Sequence, residues 1–264
     1  MDFLTFFGDY SLLNMLVLTV MAFTAGFIDS VVGGGGLVQV PALLINLPNS
    51  PLPMVFGTNK IAALSGTMVA AWQYSRKIRY NYLLLVVVSL FAFAASRVGA
   101  KMLYYVDAST LKPVILVILI LIALFTFARK DLGSLQAQRQ SFSRQLVFGS
   151  LMAIVVGIYD GFFGPGTGSF FVLGFVTLLG FDFLTATAYT KIVNCVTNLS
   201  ALIVFFVHGD YILELAILMA ISNVTGSLIG SRMALKKGNA FIRMFFLAVV
   251  SIMIVKYGWD VFVG

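Results

Sequence analysis

Gly157-Ile158-Tyr159-Asp160-Gly161-Phe162-Phe163-Gly164-Pro165-Gly166-Thr167-Gly168-Ser169 decides how this chain is read. An acid, five glycines and a proline stand here in strongly apolar surroundings. An earlier stretch has the same pattern: Gly26-Phe27-Ile28-Asp29-Ser30-Val31-Val32-Gly33-Gly34-Gly35-Gly36. Asp29 and Asp160 lie 131 positions apart (160 − 29), and so do Gly33 and Gly164, Gly35 and Gly166, and Lys60 and Lys191. Gly99 and Gly230, and Met102 and Met233, keep the same offset. An ungapped offset across most of each half means an internal duplication, and the architecture follows from it.

The 264 residues are 60% hydrophobic and 10% charged, with a mean hydropathy of +1.02. Soluble domains carry about one quarter charged residues. This is the composition of an integral membrane protein. The net charge of +7 does not point to nucleic acid, because the basic residues cluster in short loops between apolar runs. Such clusters are orientation signals. The single cysteine, Cys195, lies in an apolar run and reads as a core thiol. The first Lys or Arg is Lys60, so a cleaved signal peptide is not expected.

A crossing helix needs about 20 apolar residues. The first run is Leu12 to Val32 and ends in Gly33 to Gly36. A short run, Leu37 to Leu47, stops at Pro48-Asn49-Ser50-Pro51-Leu52-Pro53, which reads as a loop. The third run starts near Gly57 and ends at Trp72 to Tyr74, before Arg76, Lys77 and Arg79. The fourth is Tyr82 to Tyr105 and the fifth Leu111 to Phe127. The second half repeats the plan with Leu146 to Phe163, a short Phe170 to Leu179, Thr187 to Val207, a run ending at Leu235, and Phe241 to Tyr257. The expected fold is an all-α polytopic membrane protein of two inverted-topology repeats, each with four to five hydrophobic segments, one of them short and Gly/Pro-broken. Residues 1–130 form the N-terminal repeat, 131–145 a cytoplasmic linker and 146–264 the C-terminal repeat.

Inversion follows from the loop charges. Arg76, Lys77 and Arg79 place the end of the third run inside, and Lys236 and Lys237 place the end of the second half's fourth run inside. The second half's third run therefore ends outside, beside His208, Asp210 and Glu214. The two third runs point in opposite directions, and both termini lie outside.

Broken hydrophobic segments at matching places in inverted repeats mark the binding site of secondary transporters. Freed backbone N–H groups need partners that hydrocarbon cannot supply, and an anion can serve. The candidate binding residues are Gly33, Gly34, Gly35, Gly36, Asn59, Lys60, Gly164, Gly166, Thr167, Gly168, Ser169, Lys191 and Asn194. Thr167 and Ser169 would add hydroxyl donors in the second copy only. The plainer account of the glycines is close helix packing. Lys60 and Lys191, near the starts of their runs, bind the anion, or pair with an Asp and lock the broken helices, or snorkel to the surface, and the first two roles are compatible. Asp29 and Asp160 either carry coupling protons or form structural ion pairs. Asn194 and Asn198 share a face with Lys191, which either lines the site or bonds between helices. Gly99 and Gly230, with Ser96 and Ser227, read as small-residue packing faces. A nucleotide loop is excluded because no Lys-Ser/Thr ends the glycine stretch. No metal cluster, cofactor site or nucleophile–base pair is visible, so an enzyme is not expected.

At these residues the chain resembles the TauE/SafE (sulfite exporter) family. The marks are Ala25-Gly26-Phe27-Ile28-Asp29-Ser30 with Gly33 to Gly36, Pro41-Ala42-Leu43-Leu44, and Gly57-Thr58-Asn59-Lys60. In the second half they are the stretch 157–169 and Ala186-Thr187-Ala188 with Lys191 and Asn194. The resemblance implies a multi-pass bacterial inner-membrane protein that moves sulfur-containing anions such as sulfite, sulfonates or sulfoacetate-like compounds. The expected function is a secondary transporter, an exporter, of such anions by alternating access. Its partners are the small anionic substrate and the lipid bilayer, with a homodimer as one assembly it allows. A passive anion channel and a non-transporting membrane assembly partner are the rival readings.

Overall fold

The Ser11 hydroxyl accepts from the Asn14 amide at 3.1 Å and starts the first helix, α1, Leu12–Val32. The computed structural model describes residues 10–105 and 140–262. The fifth run expected at 111–127, most of the linker and the expected repeat boundary at 130 lie outside the described residues. The chain continues through α2 (Gly36–Asn46), α3 (Leu52–Ser75), and α4 (Tyr82–Met102) with a 3₁₀ turn to Tyr105. Beyond the undescribed stretch come α5 (Phe142–Phe162), α6 (Thr167–Thr177), α7 (Phe183–His208) and α8 (Leu213–Phe262). Helix α8 is broken at Gly238, whose φ of 71° no helix accommodates.

Five of these segments are long and apolar enough to cross a membrane: Leu12–Val32, Tyr82–Tyr105, Phe142–Phe162, Phe183–His208 and Leu213–Ile242. Helix α3 has the length, 24 residues, and turns its polar Asn59, Lys60, Thr67 and Gln73 to the interior. Helices α2 and α6 have 11 residues each. At about 1.5 Å per residue, each spans roughly half of the ~30 Å hydrocarbon.

Several helix starts precede the expectation: α5 begins at Phe142, inside the stretch expected as linker, α6 begins at Thr167 rather than Phe170, and α3 and α7 also begin early. Helix α3 begins at Leu52, inside the Pro-rich stretch read as a loop, with Pro51 as its cap and Pro53 in its first turn. A first-turn proline loses nothing, because its missing N–H would have no helical acceptor there. Helix α7 begins at Phe183, where Asp182 accepts from the Thr185 amide at 2.9 Å. Lys60 and Lys191 are therefore each the ninth residue of their helix (60 − 52 + 1; 191 − 183 + 1). They stand two turns in, beyond the reach of the terminal dipole.

Helices α3 and α7 run antiparallel. Near the end of α3, the Asn81 amide donates to the Tyr189 hydroxyl from the start of α7, at 2.6 Å. At the other end, the Ile212 amide, just past α7, donates to Thr58 Oγ1 near the start of α3 at 2.9 Å. Around this pair the halves exchange partners: α1 packs along α8, and α4 along α5. Small residues allow the approach. A Cβ at Gly99 would lie 2.0 Å from the Ile158 carbonyl oxygen, and one at Gly230 2.5 Å from that of Phe27. Ser96 and Ser227 do more than the packing expected of them. Ser96 Oγ donates to the Thr197 carbonyl at 2.8 Å and Ser227 Oγ to the Gly66 carbonyl at 2.6 Å. All of these pairs correspond through the 131-residue offset. Ser96→Ala and Ser227→Ala should each cost about 1 kcal/mol. Unfolding in detergent checks it, and clearly unequal losses would contradict the equivalence of the two bonds.

Candidate functional site

The two helix breaks cross one another. Gly33 ends α1 with φ 83°, and its amide donates to the Asp29 carbonyl at 2.8 Å. Gly164 and Gly166 take φ of 91° and 82° before α6. The backbones meet directly: the Ser169 amide donates to the Gly33 carbonyl at 3.1 Å, and Ser169 Oγ to that of Val32 at 3.1 Å. A Cβ on Gly33 would lie 2.3 Å from the Gly168 carbonyl carbon. Glycine is required on both sides of this crossing.

Two ion pairs cross between the halves and hold the breaks. Lys60 of α3 reaches Asp160 Oδ1 at 3.0 Å and the Asp160 carbonyl at 3.0 Å. Its third donor goes to Asn198 Oδ1 at 2.9 Å. Lys191 of α7 reaches Asp29 Oδ2 at 3.1 Å and also donates to the Asp29 carbonyl. Thr67 Oγ1 lies 3.2 Å from the same Asp29 oxygen, although the Ala63 carbonyl at 2.7 Å is the nearer acceptor for its one proton. Thr67 is the 131-offset counterpart of Asn198 (198 − 131). Each lysine thus ties a carboxylate and a last-turn carbonyl of the opposite half's broken helix. Both lysines are buried, and each is paired with an aspartate of the opposite half. An ammonium has three donors, and those of Lys60 are all engaged.

A small cavity of about 30 Å³ lies against the crossing. That accommodates a small ion or a few waters and nothing larger without movement. Of the candidate residues, Gly33, Gly35, Gly36, Asn59, Lys60, Gly164, Gly166, Thr167, Gly168 and Asn194 line it, as do Asp29 and Asp160. Gly34, Ser169 and Lys191 do not line it. The hydroxyls expected to face an anion are used within the breaks: Thr167 Oγ1 donates to the Gly164 carbonyl at 2.6 Å, and Ser169 Oγ to Val32. A hydroxyl has one proton to give, so neither is free to donate to a ligand here.

Other donors remain. Among the described residues the amides of Gly35, Gly36, Gly166 and Gly168 have no backbone acceptor. They belong to the first turns of α2 and α6, where the helix dipole is positive. Gln39, Asn59 and Asn194 are each at least nine-tenths buried and line the cavity. Gln39 Nε2, Asn59 Oδ1, Asn194 Oδ1 and Asp160 Oδ2 lack partners. The two ends of an Asn carboxamide exchange by rotation, so either Asn can turn its N–H inward.

Gln39, Thr67 and Asn223 also line the cavity, and they were not among the residues read as site candidates. Asn223 Nδ2 donates to Gln39 Oε1 at 2.7 Å, which aims the other end of Gln39. Their offset counterparts are Phe170, Asn198 and Ala92, so only Thr67 matches a polar residue. The usable signal was a Gln three residues into a half-helix (39 − 36) in an otherwise apolar run. Asn198, read as part of a polar face, does line the cavity.

Long apolar helices, two half-length helices meeting at glycine breaks, and a small polar cavity against them are the features of a membrane transporter fold. The chain belongs to the TauE/SafE family: residues 18–257 match the family described as "Sulfite exporter TauE/SafE". It is 39% identical over 235 residues to "Probable membrane transporter protein ORF9" of Sinorhizobium sp, covering 89% of this chain and 88% of that protein. It is 36% identical over 252 residues to "Probable membrane transporter protein YfcA" of Escherichia coli, covering 92% and 89%. A "Probable membrane transporter protein" of Haemophilus influenzae is 33% identical over 246 residues, covering 93% and 95%. No solved structure matches the chain. The chain is a multi-pass protein of the bacterial inner membrane, a membrane transporter of the TauE/SafE type.

Proposed function

We propose that this chain is a secondary transporter of small anions, in the first place sulfur oxyanions or organosulfonates, that exports them by alternating access. One observation carries the reading. Unpartnered amides of two half-helix N-termini and the buried carboxamides of Gln39, Asn59 and Asn194 converge on one small cavity. Among the described residues that line it, the fully buried side-chain atoms without a partner are amide donors or rotatable carboxamide ends, apart from Asp160 Oδ2. In a small buried site, donors without acceptors favour an anion. The family description adds sulfite as the anion to try first.

The lysines act here through their pairs. Lys60 with Asp160, and Lys191 with Asp29, cancel in charge, so the cavity holds an anion by dipoles. A proton placed on Asp160 Oδ2, the oxygen without a partner, removes one negative charge. Lys60 is then left to balance an incoming anion, which couples anion to proton. The two halves are inverted copies in this reading, as the antiparallel α3 and α7 support. Movement of one against the other would open the cavity to each side in turn.

The test is thermal stability of the purified protein with sulfite, thiosulfate, sulfate, taurine, sulfoacetate and matched carboxylates. A ligand of the folded state raises apparent stability with its concentration. Gln39→Leu keeps the volume and removes a donor, so the bound anion should weaken about tenfold to a hundredfold. An unchanged response in that variant rules out this cavity as the site. No response to any sulfur anion rules out the substrate class. In vesicles, anion flux driven by an imposed pH difference separates a coupled carrier from a passive channel.

A further inference from the structure

We propose that a basic surface pocket between α3 and α8 is a binding site for the headgroup of an anionic phospholipid. The pocket is distinct from the central cavity and encloses about 520 Å³. Arg76 and Lys77, just past α3, and Arg232 and Lys236, from the turns of α8 before the Gly238 break, converge on it. All four are exposed, and among the described residues none has a carboxylate within 4.0 Å. Trp72 forms one wall, 59% exposed, with the Arg76 guanidinium over its ring at 5.1 Å. Gln73 Nε2, donating to the Leu228 carbonyl at 3.4 Å, ties the two helices together behind the pocket.

Orientation alone does not account for this. Two cationic loops satisfy the positive-inside bias wherever they lie on the inner face. Here cations about 155 residues apart in sequence (232 − 77), one pair just past α3 and the other on α8, share one concavity. Four unneutralised cations around a hollow repel one another, and an anion relieves that repulsion. The occupant is a membrane lipid because the pocket has an interfacial aromatic wall and lies at helix ends. Basic pockets between membrane helices on the cytoplasmic side take phosphate headgroups. Four cations suit a headgroup with two phosphodiesters, as in diphosphatidylglycerol, better than one with a single phosphate.

The experiment uses the full-length protein in mild detergent, with lipid adducts counted by native mass spectrometry during titration. Diphosphatidylglycerol should bind more tightly than phosphatidylglycerol, and phosphatidylethanolamine should not saturate the site. Arg232→Gln with Lys236→Gln should weaken the anionic lipid about thirtyfold, at roughly fivefold per cation. Lys101→Gln, an exposed cation on α4 away from this pocket, should leave it unchanged. Equal loss in the Lys101 variant, or full retention in the double variant, overturns the proposal. So does competition by inorganic phosphate at concentrations near those of the lipid, which would make the pocket a soluble-anion site.

Discussion

Asp160→Ala should cost about 3–5 kcal/mol of stability, the usual result of stranding one partner of a buried ion pair. Lys60 is 2% exposed, and Asp160 supplies two of the three acceptors of its ammonium. Alanine keeps the backbone carbonyl and removes the negative charge, so a buried cation remains with two neutral acceptors. Lys60→Met combined with Asp160→Leu should recover most of that loss, because the desolvation cost disappears with the charges. The double variant should nevertheless fail to couple anion to proton. The reciprocal variant Asp29→Ala should cost less, since Asp29 is more open, with 19% of its side chain exposed. Chemical unfolding in detergent measures all three. Equal stability of Asp160→Ala and the parent chain would mean that the pair does not clamp the breaks.

Gly33→Val should abolish folding altogether, and Gly168→Ala should come close. A Cβ on Gly168 would lie 2.4 Å from Gly33 Cα, and one on Gly33 2.3 Å from the Gly168 carbonyl carbon. Both obstacles are backbone and cannot rotate away. Gly209 is the control, because its φ of 73° is equally left-handed but a Cβ there meets nothing within 4 Å. Gly209→Ala should lose only the conformational term, about 1–2 kcal/mol. The yield of monodisperse protein on size exclusion separates the cases. If Gly33→Val and Gly209→Ala behave alike, backbone strain rather than the crossing sets the requirement.

The long apolar runs were readable to within a few residues, since hydrocarbon imposes their length and composition. The starts of α3 and α7 were not, because Pro51, Pro53 and Asp182 are as much helix openers as loop formers. The 131-residue offset made Lys60, Lys191, Asp29 and Asp160 legible as a set. It could not say that each lysine reaches the carboxylate of the other half, because a repeat in sequence is silent on which copies touch. Gln39 and Asn223 escaped for a related reason: neither has a polar counterpart at the offset, and the symmetry that revealed the lysines hid them. Thr167 and Ser169 were recognised as donors, but their acceptors, Gly164 and Val32, emerge only from the folded breaks.

The exchange of partners between halves bears on how the chain is made. Synthesis runs from the N-terminus, so Asp29 and Lys60 enter the membrane before Lys191 and Asp160 exist. Helix α1 likewise precedes its main neighbour, α8, by some 180 residues (213 − 32). The folded-state partners of both charges arrive only with the second half. The two halves, made as separate polypeptides in one cell, are therefore expected to find each other through these contacts.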